Sequence, residues 1–204
     1  MARIDCFNPI AGRISNLPAG EIFVISDFSD LADDAAIRKV LSRLEGDGKI
    51  RRIMRGIYDC PIYNDFLGEY VEPHPDKIAH AIARNFGWTI VPCGDTALNM
   101  LGLSTQVPSV WLYVSDGNYR EYKCGNITIE FKHTANREIS KISSKTALII
   151  QAIKALGKEK ITDEVINKIK GATTEDERKR MFTEAKYATS WIYDKIKEIC
   201  GGAK

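Results

Sequence analysis

Apolar residues recur with a helical period in several parts of this chain, most clearly between Asp33 and Cys60. Ile37, Val40, Leu41 and Leu44 fall at i, i+3, i+4 and i+7, which gathers four aliphatic side chains on one stripe of a helix. That stripe must face a core. At about 100° per residue the other side carries Ala35, Arg38, Lys39, Ser42 and Arg43, short or cationic side chains that allow close approach to a phosphate-lined groove. Asp33 or Asp34 can cap this helix by accepting backbone N–H bonds, and Gly46 with Gly48 can end it, since glycine tolerates the left-handed conformation needed there. Beyond it Lys49, Arg51, Arg52 and Arg55 set four positive charges in seven residues. Gly56 then supplies a turn before Ile57 and Tyr58 resume an extended run, and Pro61, which cannot donate a ladder hydrogen bond, ends the second strand. Helix, basic strand, turn and strand spell a winged helix-turn-helix.

The same reading extends to both sides. Ile4, Phe7, Ile10, Ala11 and Ile14 fit a first helix, with Pro9 weakening its start, and Glu21 to Ile25 reads as a short strand. Ser26 or Asp27 would cap a brief helix over Phe28 to Ala32, the first helix of the helix-turn-helix pair. Between Ile62 and Pro75 periodicity is lost, and Pro73-His-Pro75 favours a stiff extended segment, so the domain boundary is placed at about residue 65. Asp76 then caps a helix with Ile78, Ala79, Ile82, Ala83 and Phe86 on one face, ended by Gly87. Strands follow over Trp88 to Val91 and Val110 to Ser115, separated by a short helix capped by Asp95 or Thr96. Two further extended runs, Tyr119 to Lys123 and Asn126 to His133, flank Gly125. From Ser143 onward the pattern is helical: Thr146 to Leu156, Asp163 to Lys170, and one long helix between Glu175 and Cys200.

Composition narrows the class without changing this outline. With 44% hydrophobic and 27% charged residues, the chain is an ordinary globular protein rather than a disordered, collagenous or coiled-coil one. No apolar run approaches membrane-spanning length and no signal-peptide pattern opens the sequence, so a cytoplasmic protein is expected. Cys6, Cys60, Cys93, Cys124 and Cys200 are odd in number and form no C-x-x-C pair, which argues against structural disulfides and a zinc site.

Charge is more informative by segment than in total. The net charge is only +2, yet residues 1–37 hold two basic and six acidic side chains while residues 38–55 hold seven basic and two acidic. Residues 141–204 are basic again, with fourteen cationic and nine acidic side chains, although lysine-rich helices often have nothing more than solvated faces. A polyanionic partner fits a cationic island on an otherwise acidic domain. Arg38, Lys39, Ser42 and Arg43 are therefore expected to read base edges and phosphates in the major groove of double-stranded DNA. Lys49, Arg51, Arg52 and Arg55 would clamp the backbone from the wing. The alternative is a winged domain used for protein or ligand contact.

Catalytic readings are weaker. Asp116, Glu130 and Lys132 have the loose spacing of a metal-dependent nuclease centre, but Asp116-Gly-Asn118 is a better turn than a ligand set. Cys93 precedes a helix N-terminus, which could activate a thiolate, yet no histidine is placed to serve it and a buried structural cysteine is the plainer reading. His74, His80 and His133 lack metal-ligand spacing, and Gly94-Asp-Thr96 is too short for a phosphate-binding loop. Catalytic residues, cofactors and metal ligands are accordingly expected to be none.

The wording of the basic element is also familiar. The run from Glu21 to Pro61 resembles the N-terminal winged-helix domain of AbiEi-type antitoxins of bacterial abortive-infection toxin–antitoxin systems, and of the related DUF6088 family. The likeness is carried by Leu41, Arg43, Leu44, Gly48, Lys49, Ile50, Arg52, Arg55, Gly56, Tyr58 and Pro61, in the pattern L-x-R-L…G-K-I-x-R-x-x-R-G-x-Y-x-x-P. The segment GDTALNMLGLSTQVPSVWLYVSDG and the strands after it extend the similarity to about residue 135. The resemblance implies a DNA-binding repressor of its own operon, whose partner gene encodes a nucleotidyltransferase-type toxin opposed without a tight protein complex. The expected fold is α+β: a winged helix-turn-helix over residues 1–65, then a mixed α/β domain with a C-terminal helical bundle over 66–204.

Overall fold

A computed structural model describes residues 6–135 and 139–201. The architecture is α+β, and the chain divides into two compact units between Gly87 and Trp88.

The first unit begins with α1 (Phe7–Ser15), β1 (Ile22–Val24), a 3-10 turn over Ile25–Phe28, α2 (Asp34–Gly46), β2 (Arg51–Met54) and β3 (Ile57–Asp59). Ile4, expected in the first helix, lies outside the described residues. Pro9 sits in the first turn of α1, where backbone N–H groups have no partner inside the helix, so its missing donor costs little. The brief helix anticipated at Phe28 to Ala32 is instead the 3-10 turn three residues earlier. Its cause is Asp27, whose carboxylate accepts the Val24 N–H at 2.9 Å and tightens the chain there. Asp33 caps α2 as anticipated, accepting the Ala36 N–H at 2.8 Å. The three strands pair antiparallel in the order β1-β3-β2. Ile37, Val40, Leu41 and Leu44 of α2 pack with Ile10, Ile14, Phe23, Phe28 and Tyr58 into one core, each contributing roughly 1.5–3 kcal/mol by leaving water. The Phe23 ring meets Phe28 edge-on and stacks on Tyr58, with centroids 5.6 and 6.0 Å apart.

After β3 comes a second hairpin that the sequence reading left as irregular chain: β4 (Tyr63–Asn64) and β5 (Glu69–Tyr70), antiparallel to each other. Then follows α3 (Pro75–Phe86), which starts with proline at its first position, and the His74 ring rather than Asp76 receives the first capping N–H. This helix belongs to the first unit, so the division falls after Gly87 and not near residue 65. Arg84 explains why: its guanidinium holds both carboxylate oxygens of Asp27 at 3.0 Å and donates to the Ile22 carbonyl at 3.0 Å. Lys77 adds a bond to the Gly20 carbonyl at 3.1 Å.

The second unit is built on a four-stranded sheet of order β6-β7-β9-β8: β6 (Ile90–Pro92), β7 (Val110–Ser115), β8 (Arg120–Cys124) and β9 (Ile127–His133). The β8–β9 hairpin folds back so that β9 lies parallel to β7 and antiparallel to β8. Gly117 is required by close approach, because a Cβ there would stand 2.2 Å from the Trp88 ring. The short helix α4 (Gly94–Met100) is not capped by Asp95 or Thr96 as expected; Cys93 holds that position, and the buried Thr96 hydroxyl accepts the Leu112 N–H at 2.7 Å. Against this layer packs a bundle of α5 (Ser144–Leu156), α6 (Asp163–Gly171), α7 (Glu175–Glu184) and α8 (Ser190–Cys200). The single long helix expected between Glu175 and Cys200 is broken by a 3-10 turn at Ala185–Tyr187 and an extended Ala188. The break lets Met181 and Ala185 on one arm, and Ile192, Ile196 and Ile199 on the other, share a core with Ile149 and Ile153 of α5. Among the described residues no helix is long and apolar enough to cross a membrane.

Candidate nucleic-acid interface

With its aliphatic stripe buried, α2 turns its other side outward, and Arg38, Lys39, Ser42 and Arg43 are all exposed. Arg38 meets Asp34 one turn earlier at 3.4 Å, with both side chains largely in water, a pairing too weak to compete with a phosphate. The Arg43 guanidinium lies over the Phe7 ring, 4.5 Å from its centroid. A cation over an aromatic face keeps its charge and its N–H donors while being held near the ring.

The hairpin continues this surface. Gly48 takes φ +69° just after α2, and Gly56 takes φ +81° in the Arg55-Gly56 turn, conformations that a side chain would strain. Lys49, Arg52 and Arg55 are exposed and, among the described residues, form no ion pair. A bulge between Arg52 and Met54 resets the pleat before the turn. Lys49 also lines a shallow cavity of about 470 Å³ with Ile14, Leu17, Pro61 and Tyr70.

Arg51 is the exception among the eight side chains assigned to DNA. Its Nε and Nη2 donate to the two carboxylate oxygens of Asp59 at 3.1 and 2.6 Å, and Nη2 also donates to the Val71 carbonyl at 2.9 Å. Asp59 is 1% exposed, so this bidentate pair is an internal fastening, and the Asp59 hydrogen bonds hold the Arg51 guanidinium above its usual pKa. Strand alternation separates the neighbours: Arg51 stands opposite the buried Asp59, whereas Arg52 stands in register with Tyr58 and its side chain is exposed. Arg51 therefore leaves the candidate surface, which keeps Arg38, Lys39, Ser42, Arg43, Lys49, Arg52 and Arg55.

The other candidates each have a local partner or a packed environment. The Asp116 carboxylate accepts the Thr89 N–H at 2.8 Å, a turn-stabilising role. Glu130 and Lys132 pair along β9 at 3.8 Å, and among the described residues no three His, Cys, Asp or Glu side chains are grouped to hold a metal ion. Burial pushes the Cys93 thiol up to about 11, outweighing the lowering effect of Lys132; it is a packed thiol, not an activated one. His133 bonds the Gly117 carbonyl at 2.9 Å and His74 caps α3.

The α2 face and the hairpin after it form an exposed cationic surface rather than a cavity. The family model for DUF6088, a family of unknown function, matches residues 9–181, and the chain belongs to that family. No curated protein matches it. Among solved structures, the crystal structure of the RV2827C protein from Mycobacterium tuberculosis is similar with a TM-score of 0.46 and 10% identity, over 99% of this chain and 78% of that chain. A likeness at that level assigns neither a fold nor a partner.

Proposed function

We propose that this protein is a sequence-specific DNA-binding transcriptional repressor that docks α2 in the major groove and clamps the flanking backbone with the β2–β3 hairpin as a wing. The observation that carries the reading is the seven-residue surface just described: six cations and a serine, exposed on one helix face and one hairpin of a unit whose first 37 residues are acidic. Arg38, Lys39, Ser42 and Arg43 supply base and phosphate contacts, with arginine suited to guanine edges. Lys49, Arg52 and Arg55 supply sequence-independent affinity that falls with salt. On the resemblance of residues 21–61 to AbiEi-type antitoxins, the regulated operon is the protein's own, in the cytoplasm of a bacterium, and the neighbouring gene encodes a nucleotidyltransferase-type toxin. No catalytic step is required of the chain.

The test is fluorescence anisotropy with a duplex from the upstream promoter and a scrambled duplex, titrated across salt concentrations. The promoter duplex is expected to bind more tightly at physiological salt, and the Arg52→Ala, Arg55→Ala variant to lose affinity for both duplexes alike. Equal binding of the two duplexes overturns sequence-specific repression. Promoter retardation with unchanged affinity in the variant overturns the wing.

A further inference from the structure

The β4–β5 hairpin carries a surface of the opposite character. Ile62, Tyr63, Phe66, Leu67, Tyr70 and Val71 are six large apolar residues exposed within ten positions, with Phe66 95% and Leu67 60% accessible. Scattered exposed apolar residues are normal in any protein, but a contiguous cluster marks a contact site. The hairpin is well formed. Asn64 accepts the N–H groups of Phe66 and Leu67 at 3.0 and 3.2 Å, Gly68 closes the turn at φ +69°, and the Val71 N–H reaches the Ile62 carbonyl at 2.8 Å. The Tyr63 and Tyr70 rings meet edge-on with centroids 5.2 Å apart. Its base is fastened by Arg51, which donates to the Val71 carbonyl, and by Ile62, whose Cδ1 lies so near Gly20 that a Cβ there would be 2.8 Å away. Folding of the unit therefore holds the hairpin in place without burying Phe66 or Leu67.

Its charge identifies what it fits. Asp65, Glu69 and Glu72 are interleaved with the apolar residues in sequence, and no lysine or arginine occurs between Arg55 and Lys77; the cation at the hairpin's base, Arg51, is already held by Asp59. A nucleic acid or an anionic lipid surface is repelled by three carboxylates, and a second copy of the same hairpin would bring like charges together. Among the described residues β4 and β5 pair only with each other, so their outer edges offer backbone donors and acceptors to an added strand. We propose that this hairpin is a docking site for an extended protein segment in which apolar side chains alternate with lysine or arginine. The apolar side chains pack on Tyr63, Phe66, Leu67 and Tyr70, and the cations face Asp65, Glu69 and Glu72.

The test pans a random peptide library displayed on phage against the full chain, with counter-selection on the Phe66→Ser, Leu67→Ser variant, and measures the selected peptides by anisotropy. The expected winners are cationic peptides with alternating apolar residues. They should lose about tenfold or more in affinity for that variant, and also weaken on Glu69→Lys, Glu72→Lys, which keeps the apolar surface. Thermal melting that matches the parent chain shows each variant folded; where one melts early, the other carries the comparison. Selection of no peptides, of anionic ones, or of peptides indifferent to both variants overturns the proposal. So does a dimer in sedimentation that Phe66→Ser, Leu67→Ser converts to monomer, since the occupant is then a second copy. Failure of promoter binding by the parent chain would remove the repressor reading and leave this site standing.

Discussion

Two hairpins follow one another in the first unit, and their surfaces are nearly inverse. β2–β3 presents Lys49, Arg52 and Arg55 to solvent, while β4–β5 presents Phe66, Leu67 and two tyrosines among carboxylates. Arg51 touches both, bonded to Asp59 at the end of the first and to the Val71 carbonyl at the end of the second. The contrast teaches that a cation's place in a basic run says little about its task. Of two adjacent arginines, one fastens the unit and its neighbour faces water, because a strand sends successive side chains to opposite faces.

That contrast can be broken most directly at Arg51. Arg51→Ala strands the buried Asp59 carboxylate and should cost about 3 kcal/mol of stability, read as a lower urea midpoint at an unchanged slope. Arg52→Ala should shift stability by less than about 0.5 kcal/mol, and equal losses in the two variants would erase the distinction. Next in size, Arg52→Ala with Arg55→Ala should weaken binding to any duplex by about tenfold or more at physiological salt. It should also reduce the slope of log affinity against log salt by about 2. Arg38→Ala should act differently, changing preference between duplexes by about 1–2 kcal/mol at one or two base pairs, measured by competition with single-base variants. The smallest effect belongs to the second hairpin: Phe66→Ser should leave the melting temperature within about 1 °C, since a side chain 95% exposed contributes no burial. A marked drop would show that the exposed tip holds the unit together.

Much of the first unit was legible from residues alone because its signals are local. The α2 stripe is set by helical period, its start by Asp33 three residues from the N–H it accepts, and its end by Gly48. What escaped was non-local. The fate of Arg51 depends on Asp59 eight positions away and on a carbonyl twenty positions away. The assignment of α3 to the first unit depends on Arg84 reaching Asp27 across 57 positions. The second hairpin was hidden for another reason: its apolar residues do not alternate, since they are not buried on one side. Asn64 and Gly68, the residues that close its turn, were the available clue. In the second unit, Thr96 carries the right chemistry for a helix cap, but its hydroxyl serves the neighbouring strand. The break after Glu184 follows from two helical arms sharing one core, which periodicity along a single helix does not reveal.

The stacking of Arg43 on Phe7 has a consequence of a different kind. A free arginine surrenders on the order of 1–2 kcal/mol of rotamer entropy when it docks; an arginine already resting on an aromatic ring surrenders part of that during folding. Phe7, on α1, is thus expected to narrow the rotamer freedom of a side chain on α2. Shortening Phe7 to alanine would slacken Arg43 without removing a single positive charge. In a screen for weakened recognition, such a change would surface outside the cationic patch, as a loss of readiness and not of attraction.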